Sequence, residues 1–298
     1  MDFVTLARNI QELVSEVSLI VIKQRINIRR QQIFKMREWE FLRKTVLVAT
    51  ADEYDTGTIS ISVGGTTVTG AGTTFTAAMV GRSLYVGTTH SQPYIISAFT
   101  STTDITIETA FAPLTASSGD DYSIKALRYT PSVADIAKID RIVYDRRKLI
   151  EKPHGYFDAI DPERTTTGVP IFYSIAKKSA QSGTITFEVH PVPNGEYVMK
   201  VVYYRKAVDL SANDDDLVID AELIEAAVLW DCYRIFAAKN PAYIGLARDA
   251  KVDFHSSLSM AIEQDLEQAS LPDKVIDASE IGDALTSDAF LLDHDLGI

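Results

Sequence analysis

Apolar positions recur at helical spacing from the start of the chain. Phe3, Leu6, Ile10, Leu13, Val14, Val17 and Val21 form one stripe, with Arg8, Gln11, Glu12, Ser15 and Glu16 between them. The spacing predicts an amphipathic helix from about Phe3 to Ile22. Ile26 and Ile33, within the basic stretch Lys23 to Lys35, continue it or add a second helix to about Met36. Trp39, Phe41, Val46 and Val48 then read as an emerging strand.

From Gly57 to Ile124 the pattern changes to short alternating runs. Ile59, Ile61 and Val63 alternate with Ser60 and Ser62, as in a half-buried strand. Gly64-Gly65 is a hairpin signal, and Val68 opens the next strand. Ser83 to Val86, Tyr94 to Ile96, Ile105 with Ile107, and Tyr122 with Ile124 continue the series. Short strands joined by polar turns predict a small sandwich or barrel.

Beyond this module, Pro131 to Ile136 reads as a short helix, and Ile139, Ile142 and Tyr144 as a strand leading to the basic turn Arg146-Arg147-Lys148. Lys152 to Gly168, with Pro153, Gly155 and Pro162, reads as a long exposed loop. Strands are predicted at Ile171–Ile175, Thr184–Val189 and Tyr197–Tyr204. Asp220 is an expected N-cap for a buried helix carrying Leu223, Ala226, Ala227, Trp230 and Ala237. Asn240-Pro241 opens a last helix, with Tyr243, Ala247, Ala250, Phe254, Ala261 and Leu266 on one stripe, ending near Ala269.

These elements predict an α+β protein: a helical bundle body, made of N-terminal helices and a C-terminal helical hairpin, with an inserted small β-sandwich or barrel and a second antiparallel β unit. The expected boundaries are 1–54, 55–127, 128–216, 217–270 and an acidic docking tail at 271–298.

Composition sharpens this picture. With 46% hydrophobic residues in 298, the chain can bury a substantial core. One Cys rules out an intramolecular disulfide framework. The absence of an apolar run of about 20 residues gives no expectation of a membrane span, and the N-terminus does not read as a signal peptide. The net charge of −12 disfavours holding nucleic acid by its phosphates. The charge is also polarised. Residues 1–44 carry nine Lys/Arg against five Asp/Glu, and residues 207–298 carry five against twenty. Such polarity suits head-to-tail packing of copies or an acidic surface shown to one partner, and equally suits solvated faces. Arg25, Arg29, Arg30 and Arg37 can be read as phosphate contacts; a solvated helix face, or salt bridges to an acidic neighbour, is the favoured reading.

No catalytic constellation emerges. The five His residues are dispersed, and Cys232 reads as a small core residue. His154 and His190, near Asp158 and Glu188 in sequence, have no evident spatial partner. Asp214-Asp215-Asp216 lacks the order of a calcium loop and reads as a surface turn. No cofactor, metal or enzymatic activity is expected. Residues 271–298 interleave acids with Val275, Ile276, Ile281, Leu285, Phe290, Leu291, Leu292 and Leu296, a composition that reads as a segment docking onto a partner.

Five stretches then stand out in order: REWEFLRKT (Arg37–Thr45), GTISISVGGTTVTGAGTTFTAAMVGRSLYV (Gly57–Val86), GVPIFYSI (Gly168–Ile175), HPVPNGEYVMKVVYYRK (His190–Lys206) and VIDAELIEAAVLWDCYRIFAAK (Val218–Lys239). This order resembles the head-to-tail adaptor, or connector, proteins of tailed bacteriophages. The Pro-x-Pro strand pair feeding a terminal helical hairpin is the more specific part, because the Thr/Gly-rich segment occurs in other virion proteins. The resemblance implies a structural protein of the virion neck, made in the host bacterial cytoplasm. It implies a ring, normally dodecameric, docked under the portal protein and contacting tail or nozzle proteins. Double-stranded DNA would pass through without specific binding. The tail would reach the portal, and Asp249, Asp253, Glu263 and Asp265 on the last helix are the expected channel-lining acids. The alternatives are another neck or tail-completion protein, and a carbohydrate-binding adhesin using the β module.

Overall fold

The computed structural model describes residues 1–87, 93–113, 115–153, 155–178, 184–238 and 240–269. Chain contacts divide the protein into two units. One is built from Met1–Lys44, Asp135–Lys138 and Tyr203–Lys274, the other chiefly from Thr45–Ala134 and Ile139–Val202.

The first unit is helical. Helix α1 (Phe3–Leu13) starts at Asp2, whose carboxylate accepts the Thr5 amide at 2.8 Å. Helix α2 (Leu19–Met36) follows. The single helix expected to run from Phe3 to Ile22 is therefore two. The apolar stripe continues through Val14 and Val17, but the Val17 amide turns back to the Val14 carbonyl and Ser18 is extended at ψ 146°. Helices α1 and α2 pack with two later helices, given below as α4 and α5, around Phe3, Leu6, Ile10, Ile22, Ile26, Ile33, Trp39, Leu223, Ala227, Val228 and Phe254. Trp39 is fully buried and donates from Nε1 to the Ile33 carbonyl at 2.8 Å. The buried ring is thereby satisfied at its one polar atom.

The second unit is all but entirely β. Its largest element is a seven-stranded antiparallel sheet of β2 (Thr58–Ile61), β3 (Thr67–Ala71), β4 (Ser83–Val86), β5 (Tyr94–Phe99), β6 (Asp104–Ile107), β7 (Ser117–Asp120) and β8 (Tyr122–Lys125), in the order β7-β2-β3-β6-β5-β4-β8. The two edge strands, β7 and β8, are separated in sequence by Asp121 alone. A sheet whose ends are tied this closely must curl, and it forms a half-barrel. Tyr54, paired with Ile124, adds a bridge beyond β8. The inward residues Ile59, Ile61, Val68, Phe75, Leu84, Val86, Ile96, Ile105, Ile107, Phe111 and Ile124 form its core.

Two four-stranded sheets complete the β structure. One runs β1 (Arg43–Ala49), β15 (Val198–Arg205), β10 (Ile136–Tyr144), β11 (Arg147–Lys148). The other runs β12 (Ile150–Glu151), β13 (Phe172–Lys178), β14 (Ile185–His190), β9 (Arg128–Tyr129). A short helix, α3 (Tyr156–Ile160), lies between β12 and β13, and α4 (Ala221–Ala237) and α5 (Tyr243–Ala269) close the described chain.

The expected helical bundle with a small β insertion is thus overturned. The described residues hold fifteen strands in three sheets and five helices, so the protein is mostly β. Many strands are two to four residues long, too short for alternation to register in the sequence. Two local expectations also change. No helix forms at Pro131–Ile136, where β10 begins at Ile136. The supposed loop 152–168 contains α3 and the buried Phe157, Asp161 and Arg164.

Candidate functional site

In the helical unit, Arg29, Arg30 and Arg37 turn toward the rest of the unit. Arg29 Nε donates to Asp231 Oδ2 at 2.7 Å and its guanidinium lies 4.9 Å over the Trp230 ring. Buried Arg30 donates to the backbone carbonyls of Leu217 and Val208 at 3.1 and 2.5 Å. Arg37 Nη2 lies 3.1 Å from Asp265 Oδ2. Arg29 and Arg37 thus form salt bridges to acidic neighbours, one of the two readings favoured over phosphate contact, while Arg30 is a buried donor to backbone carbonyls. The positive N-terminal and negative C-terminal regions partly satisfy each other inside one chain.

The expected channel acids separate accordingly. Asp249, Asp253 and Glu263 are exposed on α5, whereas Asp265 is buried. Its Oδ1 accepts the Glu40 amide at 2.6 Å, which with Arg37 removes it from any outward acidic face. At about 100° per residue, the other three fall within roughly 80° of arc. That arc is centred about 120° around the helix from the midpoint of buried Ala250 and Phe254. Asp220 caps α4 through the Glu222 amide at 3.1 Å, and Asn240 accepts the Ala242 amide at 3.0 Å, as their sequence positions predict. In the triple-Asp turn, Asp215 Oδ2 accepts the amides of Ser211 and Ala212 at 2.6 and 2.8 Å. Its geometry is that of a turn stabilised by a side-chain acceptor. The docking-tail residues 275–296 lie outside the described residues.

The β unit contains a cluster of ionisable side chains that sequence spacing hinted at and did not resolve. Arg164, at φ 53°, donates from Nε to Glu188 Oε1 and from Nη2 to Asp158 Oδ1, each at 2.6 Å, and from Nη1 to the Asp161 carbonyl at 2.5 Å. Asp161 accepts the amides of Thr165 and Thr166 at 3.0 and 2.9 Å. His190 stacks on Phe157 with centroids 5.2 Å apart, and its Nδ1 is 4.0 Å from Asp161 Oδ2. The structure therefore gathers Asp158, Glu188 and His190, with Arg164 and Asp161 as the missing links. His154 is outside the described residues.

Beside the cluster lies a cavity of about 320 Å³, lined in part by Ser83, Glu108, Arg128, Asp158, Arg164 and Glu188. Burial lowers the pKa of His190, a shift that Asp161 opposes and Arg164 reinforces. Both carboxylates facing Arg164 are held by its guanidinium, a geometry that fixes a loop. Among the described residues, no three His, Cys, Asp or Glu side chains converge as a metal site, and no helix is long and apolar enough to cross a membrane. Cys232 is buried, and burial pushes its thiol up to about 11, so it is no thiolate at neutral pH. Of the strand tyrosines, Tyr203 donates to Asp135 at 3.3 Å and Tyr197 packs edge-on against Tyr144 at 5.1 Å. Both contacts are packing contacts within the β structure.

Among curated proteins, no relative matches the chain. A family model described as the SU10 adaptor protein matches residues 77–275, from within the half-barrel to beyond α5 and about two thirds of the sequence. The chain accordingly belongs to the SU10 adaptor protein family, a family of phage head-to-tail adaptors.

Proposed function

We propose that this adaptor acts as a ring of identical subunits under the portal, joining capsid to tail around the DNA channel. The coarser role, a structural component of the phage particle, follows from family membership. The observation that carries the finer reading is the outward face of α5. Asp249, Asp253 and Glu263 share one exposed arc there. A negative wall repels DNA phosphates, so a genome slides past it. Residues 275–296 serve as the docking segment that meets the portal, their acids and large apolar residues supplying charge and buried area.

Imaging of the particle neck tests the ring directly: subunits of this chain should surround the channel with α5 facing the lumen. Deleting residues after Leu271 tests the docking segment. The truncated chain should fold and fail to join portal-bearing heads; normal attachment refutes that role.

A further inference from the structure

The helical unit holds a cavity of about 380 Å³ that the reading above does not use. Its walls include Phe41, Asp216, Asp220, Gln264, Asp265 and Gln268, all within that one unit. Three of these are carboxylates, and no described residue lining the cavity is basic.

One wall is the turn that leads into α4. Asp216 Oδ1 accepts the Val218 amide at 3.2 Å, and Asp220 Oδ1 accepts the Glu222 amide at 3.1 Å. Neither carboxylate is ion-paired among the described residues. Val218, between them, stands at φ 62°, a strained conformation for a β-branched residue. The other wall is α5, where Gln264, Asp265 and Gln268 share one side at helical spacing. Asp265 is 3% exposed, and its Oδ1 takes the Glu40 amide at 2.6 Å. Its buried Oδ2 makes no hydrogen bond: Arg37 Nη2, 3.1 Å away, supplies charge without an aligned N–H. A buried carboxylate oxygen without a donor is costly. The cavity beside it calls for a group that brings both positive charge and N–H donors.

The spacing of the acids selects among cations. Among the described residues, no three acidic, His or Cys side chains come close enough to share a metal ion. Carboxylates spread around a cavity suit a broad cation with several donors. Guanidinium is planar, carries five N–H groups in a rigid fork and packs on aromatic rings, whereas an ammonium is a compact point charge. Phe41 supplies such a ring at the cavity wall. We infer that this cavity takes the arginine side chain of a partner polypeptide. The guanidinium donates to Asp216 and Asp220, and brings Asp265 Oδ2 the donor it lacks. The site stands apart from the ring and from the docking segment.

Calorimetric titration of the full-length chain with N-acetyl-L-arginine methylamide tests it. The arginine probe should bind saturably. The citrulline analogue, alike in shape and uncharged, should bind about tenfold more weakly or worse. D216N/D220N should weaken the arginine probe by a similar factor. Asparagine offers an oxygen to the same amides and caps a helix as well as aspartate, so the melting temperature should hold. E12Q/D52N removes two exposed acids outside the cavity, changes the net charge equally and should keep the native affinity. An arginine probe that does not saturate, a citrulline analogue that binds equally, or an affinity that D216N/D220N leaves unchanged overturns the inference. So does an equal loss in E12Q/D52N, which would make the attraction one of net charge alone. Sedimentation with and without the probe assigns the source of the arginine. A mass that falls on adding the probe places it on a second copy, and an unchanged mass places it on another protein of the particle. Neck imaging and attachment of the truncated chain read neither result, so the readings fail separately.

Discussion

Arg29 and Asp231, 202 residues apart in sequence, form a two-pronged ion pair, with Nε–Oδ2 at 2.7 Å and Nη2–Oδ1 at 2.5 Å. The pair is largely closed to water: the side chains are 13% and 4% exposed. It ties the second helix to the fourth beneath the Trp230 ring.

Removing one partner should therefore cost more than removing both. Arg29→Met leaves a buried carboxylate, with the more distant Arg234, at 3.6 Å, to compensate in part. A loss of about 3–5 kcal/mol is expected, and the double variant with Asp231→Leu should recover much of it. Urea denaturation of the two variants measures the difference. Equal losses for the single and double variants would show that the pair acts through packing alone.

The pair also explains where sequence reading reached and where it stopped. The stripes Phe3–Ile10 and Leu223–Trp230 were legible because a helix repeats its buried face over several turns. The break at Val14–Ser18 was not, since the apolar spacing continues across it. The net charges of the two chain ends were legible as sums. Their pairing was not, because Arg29 and Asp231 meet only through the fold. Arg164 was hidden for a related reason: Glu188 lies 24 residues away, and nothing local marks either as buried. The extent of β structure was underestimated because strands such as β9, β11 and β12 have two residues each.

Two glycines of the half-barrel should respond differently to the same change. Gly57 has φ 84°, and a Cβ there would run into the Ala71 carbonyl oxygen. Gly64 has φ 72° with nothing within 4 Å. Gly64→Ala should cost about 1–2 kcal/mol from the left-handed backbone alone. Gly57→Ala adds a clash with backbone that cannot swing away, and should cost clearly more. Thermal unfolding of both variants compares them; equal melting temperatures would contradict the crowding at Gly57.

On α5, position relative to the core sets the outcome of changing an acid. Lysines at Asp249, Asp253 and Glu263 together should shift stability little, on the order of 0.5 kcal/mol per site, because all three are exposed. Asp265→Ala should destabilise by several-fold more, since it strands Arg37 and the Glu40 amide. In assembled particles the triple lysine variant should slow DNA passage, measured as ejection rate. An unchanged rate would dismiss the channel-wall role of these acids.

The Arg164 cluster makes stability depend on pH in a defined direction. Burial holds the His190 pKa below its ordinary value of 6.5. An unfolded imidazole titrates near 6.5. As pH drops below that point, the unfolded chain takes up a proton that the folded chain refuses, so stability falls until the folded value is reached. Asp161 adds a second loss at lower pH. Burial pushes its carboxyl up, but the amides and hydroxyls of Thr166 and Thr165 prevail and hold it below 3.8. Its contribution is complete above the unfolded value of about 3.9 and disappears as pH falls through the folded one. The urea midpoint should be flat near pH 7–8 and decline from about 6.5 downward. His190→Gln should remove the upper part of that decline and leave the acid limb intact. A midpoint that rises between pH 7 and pH 5, or a decline unchanged by the substitution, would place the buried neutral imidazole elsewhere than beside Phe157 and Asp161.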